Sequence, residues 1–230
     1  MTGDQGMESL YPFLYSGGGD LDAVLEEVRR STVEKAGEIV ALRELVLERE
    51  HERLVACAGA MARRFAGGGR LFAFGNGGSA TDAHDLATLL LHPPDGQRPG
   101  RGTGARPLPA VSLAGDIAAV TALANDIGFE VVFARQLAAF GRPGDIAVGM
   151  STSGNSENLV RAFDEAARRG LLTVGLAGYQ GGRMAEVDTI DHLFVVPSSS
   201  VHRIQEAQTT VYHMLWELAQ AQLEEMEVLA

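Results

Sequence analysis

Apolar positions fall into two regimes along this chain of 230 residues. From about Leu21 to Ala66 they are dispersed among Glu, Arg and Ala, with few helix breakers. Val24, Leu25, Val28, Ile39, Val40, Leu42, Leu45, Val46, Leu54 and Val55 occupy more than one helical face. This predicts a long helical region, part of whose surface meets another subunit. Gly17-Gly18-Gly19 sets it off from a loose tail at residues 1–19, and Gly67-Gly68-Gly69 ends it. Short apolar runs then alternate with amphipathic stretches. Strands are predicted at 70–74, 109–113, 145–150, 171–176 and 192–196, with helices at 79–91, 117–125, 130–140, 155–169 and 202–225. In the last helix Ile204, Ala207, Val211, Met214, Leu215 and Leu218 share one stripe. The alternation predicts an α/β fold, a parallel sheet covered on both faces, within one domain over 20–230 that includes the N-terminal helices. Residues 92–108, rich in Pro, Gly and Arg, are too long for a tight connection and are expected to form a mobile surface loop.

Composition narrows the function. A net charge of -11 argues against a nucleic-acid surface or a basic membrane patch. No apolar stretch reaches the length of a membrane span, and no basic-then-apolar leader opens the chain, so a cytoplasmic protein is expected. Cys57, the single cysteine, lies in an apolar run; it excludes an intrachain disulfide and points to packing. An anionic ligand must then be held locally.

Two loops have the composition for that. The strand at 145–150 runs into Ser151-Thr152-Ser153-Gly154-Asn155-Ser156 and then a helix, which aims hydroxyls and backbone N–H groups at one point near a positive helix end. One helix cap needs fewer hydroxyls. The other loop, Gly75-Asn76-Gly77-Gly78-Ser79, lets a ligand approach the backbone closely, and Ser79 with Asp82 has the spacing of a capping box. Gly75, Gly77 and Ala80 also fit a dinucleotide fingerprint, so a nicotinamide or flavin enzyme competes here. Against it, the second strand continues as Ala114-Gly115-Asp116 after a long Pro/Gly-rich segment.

Together, Gly75-Asn76-Gly77-Gly78-Ser79, Asn125-Asp126, Phe133-Ala134-Arg135-Gln136-Leu137, the serine-rich turn and Arg203-Ile204-Gln205-Glu206 resemble the sugar isomerase (SIS) superfamily, and within it the phosphoheptose isomerase branch. The resemblance implies a five-stranded parallel sheet, doubly wound in the flavodoxin-like manner, in a homotetramer with active sites at subunit interfaces. It implies carbohydrate metabolism: conversion of sedoheptulose 7-phosphate to a mannoheptose 7-phosphate, usually with zinc. Carried over, Ser151, Thr152, Ser153 and Ser156 would contact the phosphate, and Asn76, Gly77, Ser79 and Asp116 the sugar. Asp85, Gln205 and His213 would be metal-site residues, Gln205 also reaching the substrate, with His213 and Asp85 catalytic.

The chain departs from the family on the helix after the glycine loop. The family's His and, four residues later, its Glu read here as Asp85 and Leu89. Aspartate can replace histidine as a zinc ligand. Leucine cannot accept the proton that an aldose-ketose isomerisation moves between carbons. Asp85, His84 and Glu206 are the replacement bases that the sequence offers. His92 begins the Pro-rich loop and is expected to be solvent-exposed, and His202, at the start of the last helix, either alters the sugar pocket or caps that helix. The alternative reading is a non-catalytic regulator or sugar-phosphate sensor, resembling the tetramer that binds the bacterial replication initiator.

Overall fold

The computed structural model describes residues 21–94 and 105–228, with side chains described from Ala23 onward. The predicted tail and most of the predicted 92–108 loop lie outside these residues. Helix α1 spans Leu21–Ala66. Contacts divide the chain within this helix into one unit of residues 1–41 and a second of residues 42–230. The described part of the first unit is helical, and its Val24, Leu25, Val28, Val33 and Val40 are exposed.

The second unit holds one sheet. Strands β1 (Leu71–Gly75), β2 (Ala110–Ser112), β3 (Ile146–Ser151), β4 (Leu172–Gly178) and β5 (His192–Val196) lie in the order β2-β1-β3-β4-β5, all parallel. Helices α2 (Gly78–Leu91), α3 (Ile117–Asp126), α4 (Val132–Phe140), α5 (Glu157–Arg168) and α6 (Val201–Val228) connect or follow them. The α/β fold and five parallel strands expected from the sequence are present. Residues 129–131 form a short 3-10 turn, so the helix expected from 130 begins at Val132.

Alternation along the strands builds a core on each face. Phe72 and Phe74 of β1 join Phe133, Leu137, Leu159 and Phe163 of α4 and α5 in one cluster. Phe74 packs on Phe163 and Phe133 at centroid distances of 5.3 and 5.5 Å, and a Cβ at Gly149 would meet both Phe74 and Phe163. That glycine leaves the space the rings occupy. Burial pushes the Cys57 thiol up to about 12, consistent with the packing role expected of it.

Polar ties fix the strand starts. The buried Asp145 accepts from the Arg70 backbone N–H (2.8 Å), the Arg142 N–H (2.9 Å) and the Arg70 guanidinium (3.1 Å), joining β1 to β3. Among the described residues no helix is long and apolar enough to cross a membrane.

Candidate active site

Strand order reverses between β1 and β3, since β2 lies to one side of β1 and β3, β4 and β5 to the other. In open parallel sheets this switch point is where ligands bind, at the carboxyl ends of the strands. The glycine loop leaves β1 there, and the serine-rich turn leaves β3. Asn76 and Asn158 bridge them: each side-chain amide donates to the other's carbonyl oxygen at 2.9 Å. Asn158, buried in the first turn of α5, is a site residue that its sequence context did not signal.

The serine-rich turn is partly self-bonded. Gly154 N–H donates to Ser151 Oγ at 3.1 Å, Asn155 N–H donates to Ser153 Oγ at 3.2 Å, and Ser151 Oγ lies 3.2 Å from Ser156 Oγ. Ser156 stands at the N-cap of α5 but its hydroxyl makes no cap hydrogen bond. The side chain therefore faces Ser151 and the turn's interior, beside first-turn amides that have no intrahelical acceptor. Thr152 and Ser153 are half-buried. Hydroxyls and amides converging on a helix N-terminus can bind a phosphate.

The glycine loop departs from the capping-box expectation. Gly77, at φ 55°, occupies the N-cap of α2 without a side-chain cap, so Ser79 lies inside the helix and is buried. The left-handed backbone that the loop needs at its cap favours glycine, which displaces Ser79 from that role. Gly78 carries the close approach: a Cβ there would overlap the Gln205 amide of α6. Gln208, one turn further along, donates weakly to the Ser151 carbonyl at 3.4 Å. Thus α6 lies against both loops.

Further along α2 and α6 an open groove of about 630 Å³ is lined by Thr81, Asp82, His84, Asp85, Thr88, Thr209 and Tyr212. Here Asp85 Oδ2 accepts from the Tyr212 hydroxyl at 2.7 Å and lies 3.9 Å from His213 Nε2. Burial, then the Asp85 hydrogen bond, raises the Tyr212 pKa, so the phenol stays a donor. Tyr212 was not foreseen; its only signal was a polar-tipped aromatic in an otherwise aliphatic stripe. The structure thus brings together the expected pair Asp85 and His213, and sets Gln205 two turns before His213, over Gly78.

Asp116 is exposed at the N-cap of α3, and its Oδ1 accepts from Ala119 N–H at 3.0 Å. Glu206 is exposed and paired with Arg203 at 2.6 Å, while Leu89 is half-buried. His84 is exposed on the groove wall.

Asp82 has a different character. It is half-buried, its Oδ2 is buried without a hydrogen-bond partner, and its pKa is raised to about 6, by burial first and by the charge of Asp85 second. A carboxyl whose folded pKa exceeds its unfolded value adds stability at low pH and loses it as pH rises through the folded value. Asp82→Asn should therefore be more stable than the parent at pH 7.5. The gain is on the order of 1 kcal/mol once solvent screening is allowed for, or about 2–4 °C in thermal midpoint. The difference should close as pH falls from about 6 toward 4. Thermal melts across that range check it.

The chain matches the SIS domain family over residues 36–178. It is 39% identical over 197 residues to a phosphoheptose isomerase of Aquifex aeolicus (strain VF5), covering 86% of this chain and 96% of that relative. Among solved structures it is similar to phosphoheptose isomerase GmhA from Neisseria gonorrhoeae, with a TM-score of 0.74, 33% identity, and coverage of 84% of this chain and 99% of that one. It is also similar to a phosphoheptose isomerase from Francisella tularensis, with a TM-score of 0.68, 30% identity, and coverage of 83% and 98%.

Proposed function

Because the chain belongs to the SIS-domain family, within its phosphoheptose isomerase branch, we propose that it isomerises a sugar phosphate, of the type sedoheptulose 7-phosphate to mannoheptose 7-phosphate. The observation that carries this reading is the continuity of the serine-rich turn with the Asp85–His213 pair along α2 and α6. Six residues of helix, about 9 Å, separate Ser79 from Asp85. That span suits an extended heptose chain with its phosphate on the turn and its carbonyl end at His213.

In this arrangement Ser151, Thr152, Ser153 and Ser156 hold the phosphate, with the amides that open α5. Asn76, Gly77, Ser79, Gln205 and the remaining oxygen of Asp116 position the sugar hydroxyls. The His213 imidazole moves protons at the two oxygens, giving one to the carbonyl oxygen and taking one from the neighbouring hydroxyl. Asp85, itself held by Tyr212, sets a carboxylate 3.9 Å from that imidazole. Zinc would take Asp85 and His213, whose Oδ2 and Nε2 stand 3.9 Å apart; the Gln205 side chain, over Gly78 two turns before His213, would have to extend toward them to be the third donor. Among the described residues no three His, Cys, Asp or Glu side chains come together, so an amide donor is needed. When bound, zinc would polarise the carbonyl. We place the protein in the cytoplasm as a homotetramer, with α1 supplying subunit contacts; the exposed apolar residues of α1 support this. Leu89 favours the alternative of a silent sugar-phosphate sensor, whereas relatives near 40% identity over most of the chain favour an enzyme.

The phosphate assignment is tested separately from turnover. Ser151→Ala combined with Ser153→Ala removes two hydroxyls from the turn, and at about 1.5–3 kcal/mol each for hydrogen bonds to a charged group should weaken binding by at least about 150-fold. Isothermal titration with sedoheptulose 7-phosphate measures it, and unchanged affinity would remove the turn from the site.

A further inference from the structure

With Leu89 in place of the family's glutamate, the groove lacks the base expected there. Asp85 is a poor substitute, because the oxygen nearest His213 already accepts from Tyr212. His84 is exposed on the wall, and Glu206 is exposed and paired with Arg203. Asp82 differs from all three. It lines the groove with Asp85 and Tyr212, and its Oδ2 is buried with no hydrogen-bond partner. The buried, unpaired oxygen disfavours the charged form and so strengthens the proton affinity of the carboxyl that the groove exposes. Asp82 also shares a helical face with the lost position, since seven residues at 100° each return to within about 20° of the start.

Resting on the isomerase reading above, we propose that Asp82 is the general base that moves the proton between the two carbons of the sugar phosphate. Its carboxylate takes a proton from C1 of the ketose. The C–H electron pair becomes the C1–C2 double bond, and the carbonyl electrons move to O2, which His213 protonates. The enediol then loses its O1 proton to His213 as the C1 carbonyl forms, and the Asp82 carboxyl, its proton having exchanged with solvent, protonates C2. Atoms and charges balance without a co-reactant. A carboxyl raised to about 6 is matched to this work near neutral pH. Tyr212 has a complementary part: by holding Asp85 near His213, it leaves the carbon-directed step to Asp82.

The test compares the parent, Asp82→Asn and Asp82→Glu with sedoheptulose 7-phosphate in D2O. It reads turnover, deuterium entry at C1 and ligand affinity. The expected result is an active parent and an Asn variant that binds within about threefold of the parent, while turnover and C1 exchange fall together by at least about 100-fold. The Glu variant should recover part of both. An active parent with an Asn variant within about tenfold of it overturns the assignment and leaves the isomerase reading intact. A parent with neither turnover nor exchange sinks both. Should the Asn variant no longer bind ligand, Asp82→Ala with added formate decides: restored exchange supports the base, and no restoration overturns it.

Discussion

Replacing Gly154 with alanine is expected to abolish sugar-phosphate binding and to destabilise the sheet domain. Gly154 has φ 68°, a left-handed conformation that costs an L-residue roughly 1–2 kcal/mol. A Cβ there would also overlap the carbonyl oxygen and carbon of Gly181. Those are backbone atoms, so no rotamer relieves the clash. The neighbourhood is tied down further: Met184 N–H donates to the Gly154 carbonyl at 3.0 Å, and Arg183 N–H donates to Asn155 Oδ1 at 3.0 Å. The turn and the β4–β5 connection must therefore move apart together, which displaces Ser151, Ser153 and Ser156. A loss of about 2–4 kcal/mol of stability and at least about 100-fold in affinity follows. Urea unfolding and calorimetric titration read the two effects, and near-parental values in both would show that the turn does not depend on this contact.

His213→Gln is expected to have the largest effect on turnover. The side chain is half-exposed and lies beside Asp85, so the substitution leaves the core alone. Glutamine keeps an amide in place of the imidazole but cannot relay a proton. A fall in kcat of about 10³, with KM changed only a few-fold, is the signature of a group that acts in the transition state. Steady-state kinetics with unchanged far-ultraviolet circular dichroism checks it. Turnover within about tenfold of the parent would remove His213 from the proton transfer.

The fold was legible because its determinants are local. Glycine runs bracket α1, and each strand is an apolar run ended by Gly, Pro or Asp, so predicted and observed strands agree to within two residues at their ends. The phosphate turn was legible for the same reason: Ser151 to Ser156 is contiguous. The cap of α2 was misplaced because Ser79 and Asp82 have capping spacing in sequence. Only the backbone shows that Gly77 takes the cap and sends Ser79 inside. The groove was less legible still. Asp82, Asp85, Tyr212 and His213 come from two helices more than a hundred residues apart, and no periodicity records that Tyr212 meets Asp85. Sequence motifs carried the ends of the site, and packing carried its middle.

The departure at Leu89 gains a physical context from this arrangement. Its half-buried side chain sits on the face of α2 that also presents Asp82 and Asp85, where a glutamate would add a third carboxylate. Asp85, held by Tyr212 and 3.9 Å from His213 Nε2, already supplies a negative charge near the imidazole.

Purified protein incubated with sedoheptulose 7-phosphate, with and without added zinc, should form the aldose phosphate in at least one condition, with solvent deuterium at C2 of the product when the reaction runs in D2O. If the ketose is returned unchanged and without deuterium in both conditions, the isomerase account is contradicted, however tightly the serine-rich turn binds the phosphate.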